Sequence, residues 1–201
     1  LSIVCVVLAA GDSTRLGTPK QLLSLHDEPL VRRAVQAACA TSCEHVAVVL
    51  GAHAAEVSSA LGVCRAHRLY NPAWASGGMS SSMHAAVHWA THTKADALLL
   101  CVCDQPHLGA AHLTALITAY ARERRSIASR YQGALGVPAL IEARYFDRLL
   151  AIVGDRGAAP LLRSGIEVGA LDWPDGAVDL DTELDVARFR ADARLPAADR
   201  A

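Results

Sequence analysis

Apolar runs alternate with amphipathic stretches through Arg124, and the alternation predicts strand, helix, strand in repeating order. Ile3 to Leu8 is continuously apolar and rich in β-branched residues, as a strand buried on both faces requires. Pro29 to Ala40 reads as a helix with Leu30, Ala34, Ala37 and Ala38 on one side. His45 to Leu50 is a second strand that stops at Gly51; a helix follows over Ala54 to Leu61, then a short strand over Arg65 to Tyr70. The turn-rich Asn71 to Gly78 leads into a helix from about Met79 to His92. Ala97 to Cys103 is the most apolar strand, and Ala110 to Arg124 is again helical. Repeated crossovers of this kind imply an α/β fold in three layers, α/β/α, with a mostly parallel sheet. Beyond residue 126 the pattern loosens. Strands are expected over Ser126 to Arg130 and Val137 to Ile141, helices over Arg144 to Val153 and Gly157 to Arg163, and a short strand from Ala177 to Asp181.

The opening strand runs through Leu8, Ala9 and Ala10 to Gly11, then into a polar loop carrying Arg15, Gly17, Pro19 and Lys20. Small residues after a strand let backbone amides come close to a ligand, and successive amides form an anion-binding hollow. Arg15 can grip phosphate with its planar fork, and Lys20 supplies a compact point charge. These residues describe a polyphosphate site, against the plainer reading of a surface loop with two solvated cations. The order of residues matches neither a Walker A loop nor GxGxxG.

Ligands of parallel sheets bind outside the carboxyl ends of the strands. Asp104 falls at that position, directly after Ala97 to Cys103, and a carboxylate there can hold a hard divalent ion. The alternative, a cap on the helix after Gly109, requires it five residues later. Gly78 to Ser82 reads either as an ordinary helix start or as backbone and hydroxyls offered to a nucleotide. His84, His88 and His92 share a helix face at i, i+4 and i+8, but no acidic or thiol ligand on that helix completes a metal set. Gly154 and Asp155 open a helix as a cap would. Asp179 and Asp181 alternate so as to share one face of the expected strand.

Composition narrows the function. With 201 residues, 52% hydrophobic and 19% charged, the chain can bury a sizeable core as one domain. A formal net charge of −1 gives no reason to expect nucleic acid or a membrane surface as partner. No apolar run approaches the ~18 residues of a membrane span. The six cysteines sit in apolar runs without zinc or CxxC spacing, which suits reduced thiols in a cytoplasmic protein.

Leu8 to Lys20, LAAGDSTRLGTPK, resembles the LAAGxSxRMGxxK signature of nucleotidyltransferases with a GT-A, Rossmann-like fold, Leu16 standing for Met. Asn71 to Met83 is similar to NPxWxxGMxxSL, Asp104-Gln105-Pro106 to DQP, Gly136-Val137-Pro138-Ala139-Leu140 to GxPxL, and Gly154 to Ala158 to GDxGA. Asp179 to Asp185 is similar to DIDTPEDL. In order, these blocks resemble the molybdenum cofactor cytidylyltransferases, with Ala10 and Gln105 pointing to the cytidylyl branch and Val137 standing where His is common. The resemblance implies an Mg²⁺-dependent enzyme that transfers CMP from CTP to a phosphorylated pterin cofactor, with a molybdoenzyme as recipient. It implies catalytic Arg15, Lys20 and Asp104, and a nucleotide site that adds Leu8, Ala9, Ala10, Gly11, Gly78 and Ser82. It also implies metal binding by Asp104 with Asp181, or else Asp179. Acceptor contacts fall on Gly136, Pro138, Gly154 and Asp155, so residues 1–125 form a nucleotide-binding half and 126–193 an acceptor-binding half. Two rivals stay open: transfer to another phosphorylated acceptor, such as guanylyl transfer or a sugar phosphate, and a cofactor escort that performs no catalysis.

Overall fold

The computed structural model describes residues 1–14, 16–180, 184–187 and 189. Its strands are β1 (Ile3–Ala9), β2 (Ser24–Leu25), β3 (Glu28–Pro29), β4 (His45–Leu50), β5 (His67–Tyr70), β6 (Ala97–Val102), β7 (Ser126–Tyr131), β8 (Ala134–Glu142) and β9 (Val168–Asp172). Its helices are α1 (Leu30–Cys39), α2 (Ala54–Leu61), α3 (Trp74–His92), α4 (Ala110–Glu123), α5 (Phe146–Leu150) and α6 (Ala159–Leu162). Seven strands form one sheet in the order β5-β4-β1-β6-β8-β7-β9, and β2 and β3 form a separate small hairpin. The pairs β4–β5, β1–β4, β1–β6 and β7–β9 are parallel, while β8 runs antiparallel to both its neighbours.

Strand β1 shows why the apolar runs are continuous. All seven of its residues are buried, and they alternate between two cores. Ile3, Cys5, Val7 and Ala9 join residues of α1, α2 and α4 on one side of the sheet. Val4, Val6 and Leu8 join Met83, Ala86, Val87 and Ala90 of α3, with α5 and α6, on the other. A strand covered on both faces needs apolar residues at every position, so period-two alternation disappears. The three layers expected from the alternation of elements are present.

Departures from the expected elements have local causes. β8 reverses direction through Gln132 and Gly133, both at positive φ (49° and 74°), which makes a two-residue hairpin turn. Edge strand β9, not expected from the sequence, is only partly buried and lacks a clear apolar pattern. The strand expected from Ala177 to Asp181 is absent over 177–180. Pro174–Ala177 is a single 3₁₀ turn, and the free edge of β7 is already taken by β9. Asp181, like Arg15, lies outside the described residues. Helix α3 begins earlier than expected, at Trp74, and kinks at Gly78. No described helix is long and apolar enough to cross a membrane.

Candidate active site

From β1 the chain moves outward to β4 and β5, then returns to the other side of β1 as β6. The reversal opens a crevice between the carboxyl ends of β1 and β6, where α/β sheets place their ligands. A cavity of about 400 Å³ occupies it. The turn after β1 forms one wall, Val102 to Asp104 another, and the start of α3 a third.

Lys20 reaches the cleft from a 3₁₀ turn spanning Lys20–Leu22. Its Nζ donates to Asp104 Oδ2 at 2.6 Å, with each side chain 21% exposed. Contact this short between opposite charges, partly withdrawn from water, holds both groups in a defined direction. Next to it, burial and the charge of Asp104 push the Cys103 thiol well above its usual range. It stays protonated at neutral pH and is no thiolate nucleophile.

The turn after β1 is tied down on its protein side. Gln21, 1% exposed, donates Nε2 to the carbonyls of Ala9 (3.2 Å) and Gly11 (2.5 Å). The amide of Ala52 donates to the carbonyl of Ala10 at 3.0 Å, and that of Lys20 to Ser13 Oγ at 2.9 Å. Among the described residues no partner takes the amides of Gly11, Asp12 and Ser13. A Cβ added at Gly11 would meet nothing within 4 Å, so the wall has room for a ligand. At Gly51 the opposite holds: a Cβ would lie 2.7 Å from the Ala10 carbonyl and 2.6 Å from Cβ of Trp74. Glycine there lets the ends of β1 and β4 close on α3.

The third wall is fixed by Asn71, a buried amide that donates Nδ2 to Ser81 Oγ at 2.8 Å and Ser82 Oγ at 3.0 Å. Gly78, at φ +62°, meets the loop from α5 to α6 so closely that a Cβ would lie 2.8 Å from the Gly154 carbonyl. The Ser80 amide donates to that carbonyl at 3.1 Å, and the Met79 amide to Asp155 Oδ1 at 3.4 Å.

The cleft therefore gathers Leu8, Ala9, Ala10, Gly11, Lys20, Gly78, Ser82, Asp104 and Asp155. Gly154 packs behind its wall on Gly78. Gly136 and Pro138 do not line it: they flank Val137, whose carbonyl accepts from Gln105 Nε2 at 3.1 Å. His84 bonds the Ile152 carbonyl at 2.8 Å, a packing role away from the cleft. Sequence reasoning missed Gln21, Trp74 and Met79 as cleft residues. The adjacency of Gln21 to Lys20 and the tryptophan within the Asn71 to Gly78 turn were the available signals.

The strand order, the switch-point crevice, and a cation and carboxylate meeting across it define a nucleotidyltransferase of the Rossmann-like type. The chain belongs to the MobA-like NTP transferase domain family, whose model matches residues 5–169. It is 30% identical to the purine catabolism protein PucB of Bacillus subtilis (strain 168) over 200 residues, covering 92% of this chain and 96% of that one. The solved structure of Rv0371c from Mycobacterium tuberculosis H37Rv is 29% identical, with a TM-score of 0.79, covering 94% of this chain and 97% of that chain. A complex of the same mycobacterial protein with manganese superposes with a TM-score of 0.75 at 27% identity, over 94% and 98% of the two chains.

Proposed function

We propose that the protein transfers CMP from CTP to the terminal phosphate of molybdopterin or its molybdenum form, releasing pyrophosphate. The observation that carries this reading is the 2.6 Å approach of Lys20 to Asp104 beside the pinned turn after β1. Phosphoryl-group chemistry needs positioning and charge neutralisation more than covalent assistance. The motif blocks of the sequence support a cytidine nucleotide and a pterin acceptor. The name of the Bacillus relative supports a recipient enzyme acting on purines.

Magnesium fits the donor set. It takes one or two carboxylates together with substrate phosphates and water, and Asp104 supplies a hard oxygen on the cleft wall. The manganese complex of the mycobacterial relative supports a divalent ion of this kind. When bound by Asp104, with Asp181 as the second carboxylate, Mg²⁺ supplies Lewis-acid neutralisation of phosphate oxygens. Asp181 follows Leu180, which packs with Leu16 and Leu30 on the phosphate-loop side.

The chain's own residues supply the rest. Lys20, aimed beforehand by Asp104, attracts the triphosphate, and the amides of the turn receive its oxygens. Arg15 adds the second cation. The acceptor monophosphate is largely ionised at neutral pH, with a second pKa near 6, so no general base is required. One of its oxygens bonds to the α-phosphorus, and the bond from that phosphorus to the β-phosphate bridging oxygen breaks. Pyrophosphate leaves with the electron pair, its charge met by Lys20 and Arg15. Gly154 and Asp155 hold the acceptor from the α3 side, Gly136 and Pro138 from the β8 side. Residues 126–193 thereby serve the acceptor and 1–125 the nucleotide.

A panel of acceptors against CTP and GTP tests the reading. Pyrophosphate release should require molybdopterin or its molybdenum form and should favour CTP. Turnover only with a sugar phosphate, or only with GTP, would replace this acceptor or this nucleotide. A protein that carries molybdopterin without consuming any nucleotide is an escort.

A further inference from the structure

We propose that Gln21 is the positioning residue of the phosphate-binding turn, holding the carbonyls of Ala9 and Gly11 away from the triphosphate. The inference rests on the triphosphate reading of the cleft and says how the wall is made to fit an anion.

A polyphosphate repels carbonyl oxygens and attracts amides. In a trans peptide the C=O of one residue and the N–H of the next point in opposite directions. Pinning a carbonyl therefore sets the direction of the following amide. Gln21 Nε2 pins the carbonyls of Ala9 and Gly11, which sets the amides of Ala10 and Asp12. The Ala52 amide pins the carbonyl of Ala10 and so sets the amide of Gly11. Three consecutive amides are thereby turned from their tethers, along a stretch that lines the cleft.

Among the described residues no backbone amide reaches the carbonyls of Ala9 or Gly11 in place of Gln21; a single NH₂ group, with two hydrogens, serves both. Its orientation is not interchangeable. Turning the amide over would press Oε1 against two carbonyl oxygens. As it stands, Oε1 is buried without a hydrogen-bond partner. A residue that leaves its acceptor bare to spend both donors is held there for the donors.

The test is calorimetric titration of the full chain with CTP, CDP, CMP and cytidine, in Mg²⁺ and without acceptor. Gln21→Met keeps the shape and removes both donors. It should weaken CTP about tenfold or more, with losses shrinking through CDP and CMP to within about twofold for cytidine. A uniform loss across the series, or none, overturns the proposal, since a residue that only supports the fold does not distinguish phosphate number. Gln21→Glu gives an independent reading if the methionine variant does not fold. Ionised, it has no donor; protonated, it regains one, and burial raises its pKa into an accessible range. Relative to wild type at the same pH, its affinity for CTP should recover between about pH 8 and pH 5.5. A ratio that does not change with pH overturns the proposal. Wild-type protein that binds neither CTP, GTP nor inorganic triphosphate removes the reading of the cleft itself; triphosphate binding unaffected by Gln21→Met removes only the clamp.

Discussion

Lys20 and Asp104 are separated by 84 positions and meet at 2.6 Å. Each is indispensable for a different reason. Lys20 brings positive charge to a departing pyrophosphate, while Asp104 aims Lys20 and offers oxygen to a cation. Lys20→Ala and Asp104→Ala are each expected to lower turnover at least about a hundredfold, the scale of a lost transition-state contact. Steady-state rates with saturating CTP and acceptor check this, and near-normal turnover in either variant would remove that residue from the mechanism. Both residues were legible in sequence: one follows a small-residue turn, the other ends the most apolar strand. Gln21 was not, because a buried amide that pins carbonyls has no periodicity and no charge to mark it.

At the scale of elements, the contact between α3 and the loop from α5 to α6 sets the spacing between the nucleotide wall and Asp155. Gly78 makes that contact possible, since a Cβ there would lie 2.8 Å from Gly154 on a backbone at φ +62°. Gly78→Ala is expected to cost about 1–3 kcal/mol of stability. A urea denaturation series would register it, and the KM for the acceptor should rise as Asp155 is displaced. On the other side of the sheet, His112 of α4 stacks on Trp173 at 4.4 Å and bonds Ser129 Oγ at 2.8 Å. That hydroxyl donates to the Pro138 carbonyl, so His112 Nε2 carries the proton in their bond. Burial pushes His112 down from the usual 6.5 to about 4. The unfolded chain then binds the proton first as pH falls, so this group's stabilising contribution is full above about pH 6.5 and lost towards pH 4. Unfolding free energy followed across that interval should fall more steeply in wild type than in His112→Gln. Equal slopes would mean the ring is not buried neutral. Neither feature could be read from sequence. The partner of Gly78 is 76 positions away, and β9, which leads into Trp173, carries no apolar pattern that marks it as a strand.

For the whole molecule, the order of elements was readable because most central strands are buried on both faces and the helices between them are amphipathic. The reversal of β8 was not, since Gln132 and Gly133 lack the usual Asn-Gly or Asp-Gly signal of a two-residue hairpin. That reversal matters for function, because β8 lies between β6 and β7 and brings Val137 to Gln105, next to Asp104. One sheet thus joins the nucleotide side to the acceptor side without an intervening linker. The most direct test uses CTP labelled at the α-phosphorus, molybdopterin and Mg²⁺. The account predicts label in the pterin product, one pyrophosphate released per label transferred, and loss of both together in Asp104→Ala. Label that never reaches a phosphorylated acceptor, or transfer that proceeds unchanged in Asp104→Ala, would contradict it.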